Sequence, residues 1–391
     1  MRILKKSILV MLGLMLAGLI GFWAFAPGII GADMNGVKSH EPYVVSQKAA
    51  ALHKTLIIGD WHADSLLWKR DLLKRGDFGQ VDFPRMAEGN AAIQVFTTVT
   101  KSPAGLNYEE NAAEARDNIT LLAFGQLWPM RTWNSRIERA LYQSQKLHEF
   151  ATQAPDVFKI IRTKSDLAAV LAARNTGAPL MGALIGAEGG HALDGDIANL
   201  ARMYDAGFRV MGLQHFFDNR LGGSLHGVSN AGLTDFGREV VRAMGDRNMI
   251  IDLAHSSPQV AADVLAMVDR PVIVSHTGIH AHCPVKRNFP DALMQRITAA
   301  GGLIAIGYWQ EVTCDDSPKG VAATIMAAID LLGVEHVSLG SDYDGSIETS
   351  FDISELAALT EALMQAGLPN DDIALVMGGN MMQFLAENLP D

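Results

Sequence analysis

Eight runs of apolar, often β-branched residues recur along this 391-residue chain with helix-like stretches between them, and five of the eight stop at a side chain that binds metals. The runs cover residues 56–61, 91–98, 180–187, 209–214, 249–254, 272–275, 302–308 and 336–341. Near-continuous apolar runs of this length are what parallel strands buried on both faces require. Eight of them alternating with helices is the count of a (β/α)8 barrel, so the sequence predicts an α/β fold of the TIM type.

The five segments are Asp60-Trp61-His62-Ala63-Asp64, Glu188 in GAEGGH, His255 in IIDLAHSS, His276 in VIVSHTG and Asp342 in SLGSDYDG. In a parallel barrel the C-terminal strand ends converge on one mouth, so residues far apart in sequence meet there. His62 and Asp64 are two residues apart, share a face and reach one metal together. Alone, His-x-Asp is weak in a chain with 12 histidines; its weight comes from the carboxylate and two imidazoles at other strand ends. Glu188, with two oxygens, suits a bridge between two ions, leaving His62 and Asp64 on one and His255 and His276 on the other. Nitrogen and oxygen donors without sulfur suit zinc, with manganese, cobalt or iron as alternatives. Two such ions lower the pKa of water enough to supply hydroxide near neutral pH, which points to hydrolysis.

Further residues complete the expected site. Asp342, after the eighth run, is placed to take the proton of attacking water and return it to the leaving amine; Asp344 is its rival. His215, ending the fourth run, is placed to donate to a developing oxyanion. Arg287 and Asn288 are placed to hold a substrate carboxylate through a fork of hydrogen bonds, with a surface ion pair as the competing reading for Arg287. Asp60 reads as a structural support.

Helices are expected over 233–239, 320–332 and 353–366 from capping and periodicity. The interval 101–178 is long, with helical patterns at 108–127 and 136–152 and Trp128 and Trp133 between them. It reads as an expanded connection after the second strand, either shaping the pocket or serving only as packing.

Ahead of the barrel, Arg2, Lys5 and Lys6 precede an apolar stretch at 8–26. A basic flank and about 20 apolar residues are what a spanning helix requires. We read residues 1–35 as a retained inner-membrane anchor and 36–391 as one catalytic domain, exported to the periplasm or cell exterior. A cleaved signal peptide is the competing reading: Ala24-Phe25-Ala26 resembles a cleavage site, although Pro27 would follow the cut. The formal net charge of -11 speaks against nucleic acid as a partner. The two cysteines, Cys283 and Cys314, exclude a thiolate metal cluster; export favours one disulfide between them over two buried thiols.

The segments DWHADS, GAEGGHAL, the His215-Phe216-Phe217-Asp218-Asn219 stretch, GLTDFGREVVRAMGDRNMIIDLAHSS, PVIVSHTGIHAHCPVKRNFPD and HVSLGSDYDG, spread over residues 56–380, resemble the membrane (renal) dipeptidase family of zinc peptidases. The resemblance implies a binuclear zinc barrel that cleaves dipeptides and tolerates a D-residue on the C-terminal side, and that commonly forms homodimers. It implies His62 and Asp64 on one zinc, His255 and His276 on the second and Glu188 between them. By the same resemblance His215 polarises the scissile carbonyl, Arg287 binds the C-terminal carboxylate and Asp342 shuttles the proton. Animal members carry a C-terminal lipid anchor, whereas the apolar segment here is N-terminal. Residues 307–311 and the 101–178 interval fit no family pattern. They leave open a hydrolase of another amide or lactone, or a specialised peptide-maturation enzyme; a scaffold barrel without activity fits the complete ligand set poorly.

Overall fold

The computed structural model describes residues 2–391. Nine strands are present: β1 Ile58–Ala63, β2 Ala91–Phe96, β3 Phe158–Ile160, β4 Met181–Ala187, β5 Phe208–Gly212, β6 Ile250–Asp252, β7 Ile273–Thr277, β8 Leu303–Ile306 and β9 Val337–Leu339. All but β3 form one parallel series, β1-β2-β4-β5-β6-β7-β8-β9, with helices packed outside it. The eight expected runs are the eight strands of this TIM-type barrel. Most of their residues are buried on both faces, which explains the unbroken apolar pattern.

The ring closes between its first and last strands through a bridge from Ala63 to Tyr343 at the mouth. The Asp64 N–H donates to the Tyr343 carbonyl at 2.8 Å. Below that bridge Asp60 does the joining. Its buried carboxylate accepts the Ser341 N–H at 2.8 Å, the Ser341 hydroxyl at 3.1 Å, the His62 N–H at 3.0 Å and the Gln94 amide at 2.8 Å.

One expectation is corrected, and two features are added. The helical pattern at 108–127 yields a helix only at Asn118–Gly125, capped by Asp117. The preceding chain turns instead because Asn107 Oδ1 accepts the N–H groups of Glu109 and Glu110 at 2.9 and 2.8 Å, which competes with helix formation. The long interval also contains β3, which pairs with the start of β4 and is too short for a periodic signal. The segment after residue 34 is also held against the domain. Val37 pairs with Thr349, and Tyr43 donates to the Ser350 carbonyl at 2.7 Å, so the chain is strapped across the barrel before the helix Gln47–His53.

At the N-terminus one helix, Arg2–Met34, includes a stretch from Lys5 to Met34 long and apolar enough to cross a membrane. Its first part is exposed, and burial sets in near its C-terminal end at Pro27 and Gly31.

Candidate active site

His62 lies one residue before the end of β1, Glu188 follows β4, His215 follows β5, His255 follows β6, His276 lies within β7 and Asp342 follows β9. The mouth of the barrel brings them together, all 8% exposed or less. Glu188 stands at the centre. Its Oε1 lies 3.2 Å from His255 Nε2, 3.5 Å from His62 Nε2 and 3.6 Å from His276 Nε2, and its Oε2 lies 3.3 Å from His215 Nε2. Two overlapping donor groups result, each with ligand atoms within 4.8 Å of one another: His62, Glu188, His276 and Asp342, and Glu188, His215 and His255. Sequence reasoning paired His276 with His255 instead. That pair is also close, at 2.9 Å between Nε2 atoms, and the His276 ring lies tilted against that of His62, at 3.9 Å between centroids. Asp64 borders the cluster, 3.7 Å from His62, and accepts the Thr97 hydroxyl at 2.5 Å.

Ser275 and Asp252, which no pattern in the chain singles out, set the imidazole tautomers. Ser275 Oγ donates to Asp252 Oδ2 at 2.5 Å, so its lone pairs are left to accept from His276 Nδ1 at 2.8 Å and His62 Nδ1 at 3.3 Å. In the neutral rings both Nε2 atoms are then unprotonated and aimed at Glu188. His62 Nε2 is buried without a hydrogen-bond partner, and the His255 and His276 Nε2 atoms face each other. A cation fits this arrangement, because it is the one group that satisfies several converging lone pairs at once.

The electrostatics agree. Burial, with Asp64 and Asp342 nearby, pushes Glu188 well above the usual carboxylate range. Asp342 is raised to about 7, chiefly by burial. Burial alone would lower His62, but Asp64, Glu188 and Asp342 outweigh it and raise the group to about 10, so these carboxylates draw a positive charge to its Nε2, whether a proton or a metal ion. Burial holds His255 and His276 well below the ordinary histidine value, and His215 at about 4. Crowded carboxylates that cannot all ionise, beside His215, His255 and His276 kept neutral, are what a divalent-cation site requires.

Backbone strain sits at the same place. His255 and Asp342 have φ of 63° and 61°, a left-handed conformation unusual for residues other than glycine.

A cavity of about 530 Å³ opens over the cluster, with Asp64, Glu188, His215, His255, Arg287 and Asp342 among its lining residues. Arg287 is 2% exposed and donates to the His276 carbonyl at 2.7 Å. No carboxylate lies within ion-pair distance of it among the described residues, and its Nε is without a partner. The surface ion pair therefore does not form, and a buried cation lines the cavity. Asn288 is a correction. Its amide accepts the Gly278 N–H at 2.7 Å and donates to the Cys283 and Val312 carbonyls at 2.9 Å each, so it shapes the loop and does not line the cavity. Asp344 is likewise committed, to Arg70, to the Ser65 hydroxyl and to the Gln80 N–H. Cys283 and Cys314 form a disulfide that ties the Arg287 loop to the segment after β8. Tyr108 and Trp309, joined by a 3.0 Å hydrogen bond from the indole, form a further part of the wall.

Residues 46–389 match the model of the membrane dipeptidases, peptidase family M19. The chain belongs to this family. Among curated relatives, the family member resembles dipeptidase aclJ of Aspergillus oryzae, 28% identical, with 84% of this chain and 77% of that protein covered. Its fold matches that of the probable dipeptidase PvdM from Pseudomonas aeruginosa, with a TM-score of 0.71 at 17% identity, covering 88% of this chain and 98% of that one. It also matches a metallo peptidase from Rhodobacter sphaeroides solved with a phosphinate mimic of L-Ala-D-Ala. That TM-score is 0.68 at 24% identity, covering 86% of this chain and 99% of the other. Membership makes this M19 chain a metal-dependent dipeptidase.

Proposed function

We propose that this protein is a membrane-anchored, exported dipeptidase that works with two divalent ions, zinc by donor chemistry, and accepts a D-residue at the C-terminal position. The observation that carries the substrate assignment is Arg287, a buried guanidinium without an acidic partner on the wall of a cavity floored by metal-type donors. A dipeptide supplies the missing anion as its free carboxylate. Glu188, shared by the two donor groups with His62 and His276 in one and His255 in the other, supports a pair of ions, and a set of nitrogen and oxygen donors supports zinc.

Divalent ions bound there acidify water and polarise a carbonyl at neutral pH. The chain's own residues do the rest. Arg287 holds the substrate carboxylate, which fixes the scissile bond over the cluster. His215 donates to the carbonyl oxygen as charge builds on it when the ring carries its proton on Nε2 and not on Nδ1, which lies 3.4 Å from the Lys101 carbonyl. Asp342 accepts the proton of the attacking water and delivers it to the leaving amine, a task suited to a carboxylate raised to about 7. Residues 1–35 act as the anchor and 36–391 as the catalytic domain. Export is supported by the Cys283–Cys314 disulfide and by the basic flank of the apolar helix. L-Ala-D-Ala is the natural first substrate, since a fold neighbour was solved with its phosphinate mimic.

The test is elemental analysis of the purified protein together with assay against L,L and L,D dipeptides and their N- and C-blocked forms. The reading expects about two zinc ions per chain and turnover that requires a free C-terminus. Two metals with no dipeptide turnover would redirect the search to other amides, lactones or peptide maturation, and a metal-free inactive protein would leave only the scaffold reading.

A further inference from the structure

The N-terminal helix does not end clear of the catalytic domain. Phe22, Ala26, Ile30 and Met34 line the same cavity as Glu188 and Asp342, facing Leu121 and Leu122 of the helix Asn118–Gly125. The packing is close: the rings of Trp23 and Phe124 meet edge to face at 5.9 Å, and a Cβ on Gly31 would come within 2.6 Å of Phe78.

Length then fixes where the cavity lies. After Lys6 the helix has no charged residue until Asp33, and the stretch from 7 to 21 precedes the first residue on the cavity wall, Phe22. Fifteen residues rise about 22 Å, short of the hydrocarbon thickness of about 30 Å. The segment from Phe22 onward must therefore complete the span while packed on the domain. The surface around that contact carries exposed Leu121, Phe124, Leu127 and Met130, an apolar patch of the kind that a bilayer covers.

The helix also meets the mouth on a definite side. Asn35 accepts the Ser346 N–H at 3.0 Å, beyond β9, and Gly31 abuts Trp68, beyond β1. Arg287 stands on the other side, beside His255, which follows β6, and His276 of β7. A dipeptide held by its carboxylate at Arg287 thus points its amino-terminal residue toward the helix.

We propose that the anchor helix is one wall of the substrate site, and that the site takes membrane-partitioning dipeptides whose amino-terminal residue carries a long apolar chain, received sideways from the bilayer. This rests on the anchored-dipeptidase reading above. The reaction is the same hydrolysis of the peptide bond.

The test uses the full chain in lipid nanodiscs and a series of Xaa-Ala dipeptides in which Xaa is alanine, norleucine, 2-aminodecanoic acid or 2-aminohexadecanoic acid. The expected result is a rise in kcat/KM of about tenfold or more from the alanine to the 2-aminodecanoic substrate, since each buried methylene adds to binding. In the double variant Ile30→Asn, Leu121→Asn that ratio should fall toward one. Turnover of Ala-Ala with a flat or falling series would overturn this inference and leave the dipeptidase reading intact. A ratio unchanged by the double variant would overturn the helix as a wall, and no turnover of any member, Ala-Ala included, would overturn both readings.

Discussion

The carboxylate of Asp252 accepts the Ser275 hydroxyl at 2.5 Å, and through that one bond β6 sets the protonation of two imidazoles on other strands. Because the hydroxyl proton is committed to Asp252, Ser275 can only accept from His62 and His276, which turns both Nε2 lone pairs toward Glu188. Replacing Ser275 by Ala removes the acceptor without changing a donor atom of the cluster. Metal affinity should fall about 10–100-fold, as when groups that orient metal-bound histidines are lost, while the fold persists. Competition with a chelator reads the affinity; an unchanged affinity would mean that the tautomers are set some other way.

Asp342 and Asp344 are two residues apart yet have different surroundings, and their amide variants should fail differently. Asp342 lines the cavity, and burial keeps its carboxylate at a cost. Asp342→Asn should fold at least as stably as the parent, keep its metal and lose about 10²–10⁴-fold in kcat. Asp344 is fully buried against Arg70. Asp344→Asn leaves that guanidinium unpaired and should cost about 3–5 kcal/mol of stability. Thermal unfolding and single-turnover rates on both variants separate the roles; near-parental turnover in Asp342→Asn would move proton transfer to solvent.

Much of this site is legible in the sequence, for a reason peculiar to parallel barrels. A strand buried on both faces writes itself as an apolar run, so a His, Asp or Glu at its end stands out, and the topology then brings five such ends to one mouth. His62, Glu188, His255, His276 and Asp342 are found in this way. Side chains that reach the cavity from loops are not. Tyr108 comes from irregular chain with no period to read. Asn288 looked like a carboxylate ligand because it follows Arg287, yet three backbone groups claim its amide. Ser275 and Asp252 sit inside apolar runs, where one small polar residue carries no signal. The wall formed by the N-terminal helix is equally invisible, since an apolar helix reads as an anchor whether or not it touches the domain.

Arg287 tests the substrate class directly. Its guanidinium is buried, and burial lowers its pKa, so it stays charged at a cost that an arriving carboxylate offsets. Arg287→Ala should raise KM and lower kcat/KM by about 10–100-fold, the worth of a charge-assisted hydrogen bond. C-terminally amidated dipeptides should be poor substrates for the parent and should lose little further in the variant. Metal content should not change. Equal losses on free and amidated substrates would show that Arg287 supports the loop and does not hold the carboxylate.

The disulfide connects this chemistry to stability. Cys283 and Cys314 are 31 residues apart and tie the loop bearing Arg287 to the segment bearing Trp309. Closing a loop of that length stabilises a fold by roughly 3–4 kcal/mol through the unfolded chain. Cys283→Ser with Cys314→Ser should therefore lower the unfolding free energy by about that much. The kinetic effect separates two consequences. Asn288 still bonds to the Val312 carbonyl without the bridge, so the two segments remain joined in the native state. KM should accordingly rise only a fewfold, far less than in Arg287→Ala, with kcat near the parental value because the metal donors lie on other strand ends. Denaturant titration and steady-state kinetics on the double variant make the comparison. A KM as high as that of Arg287→Ala would mean that the bridge, more than the Asn288 hydrogen bonds, holds the guanidinium over the cluster.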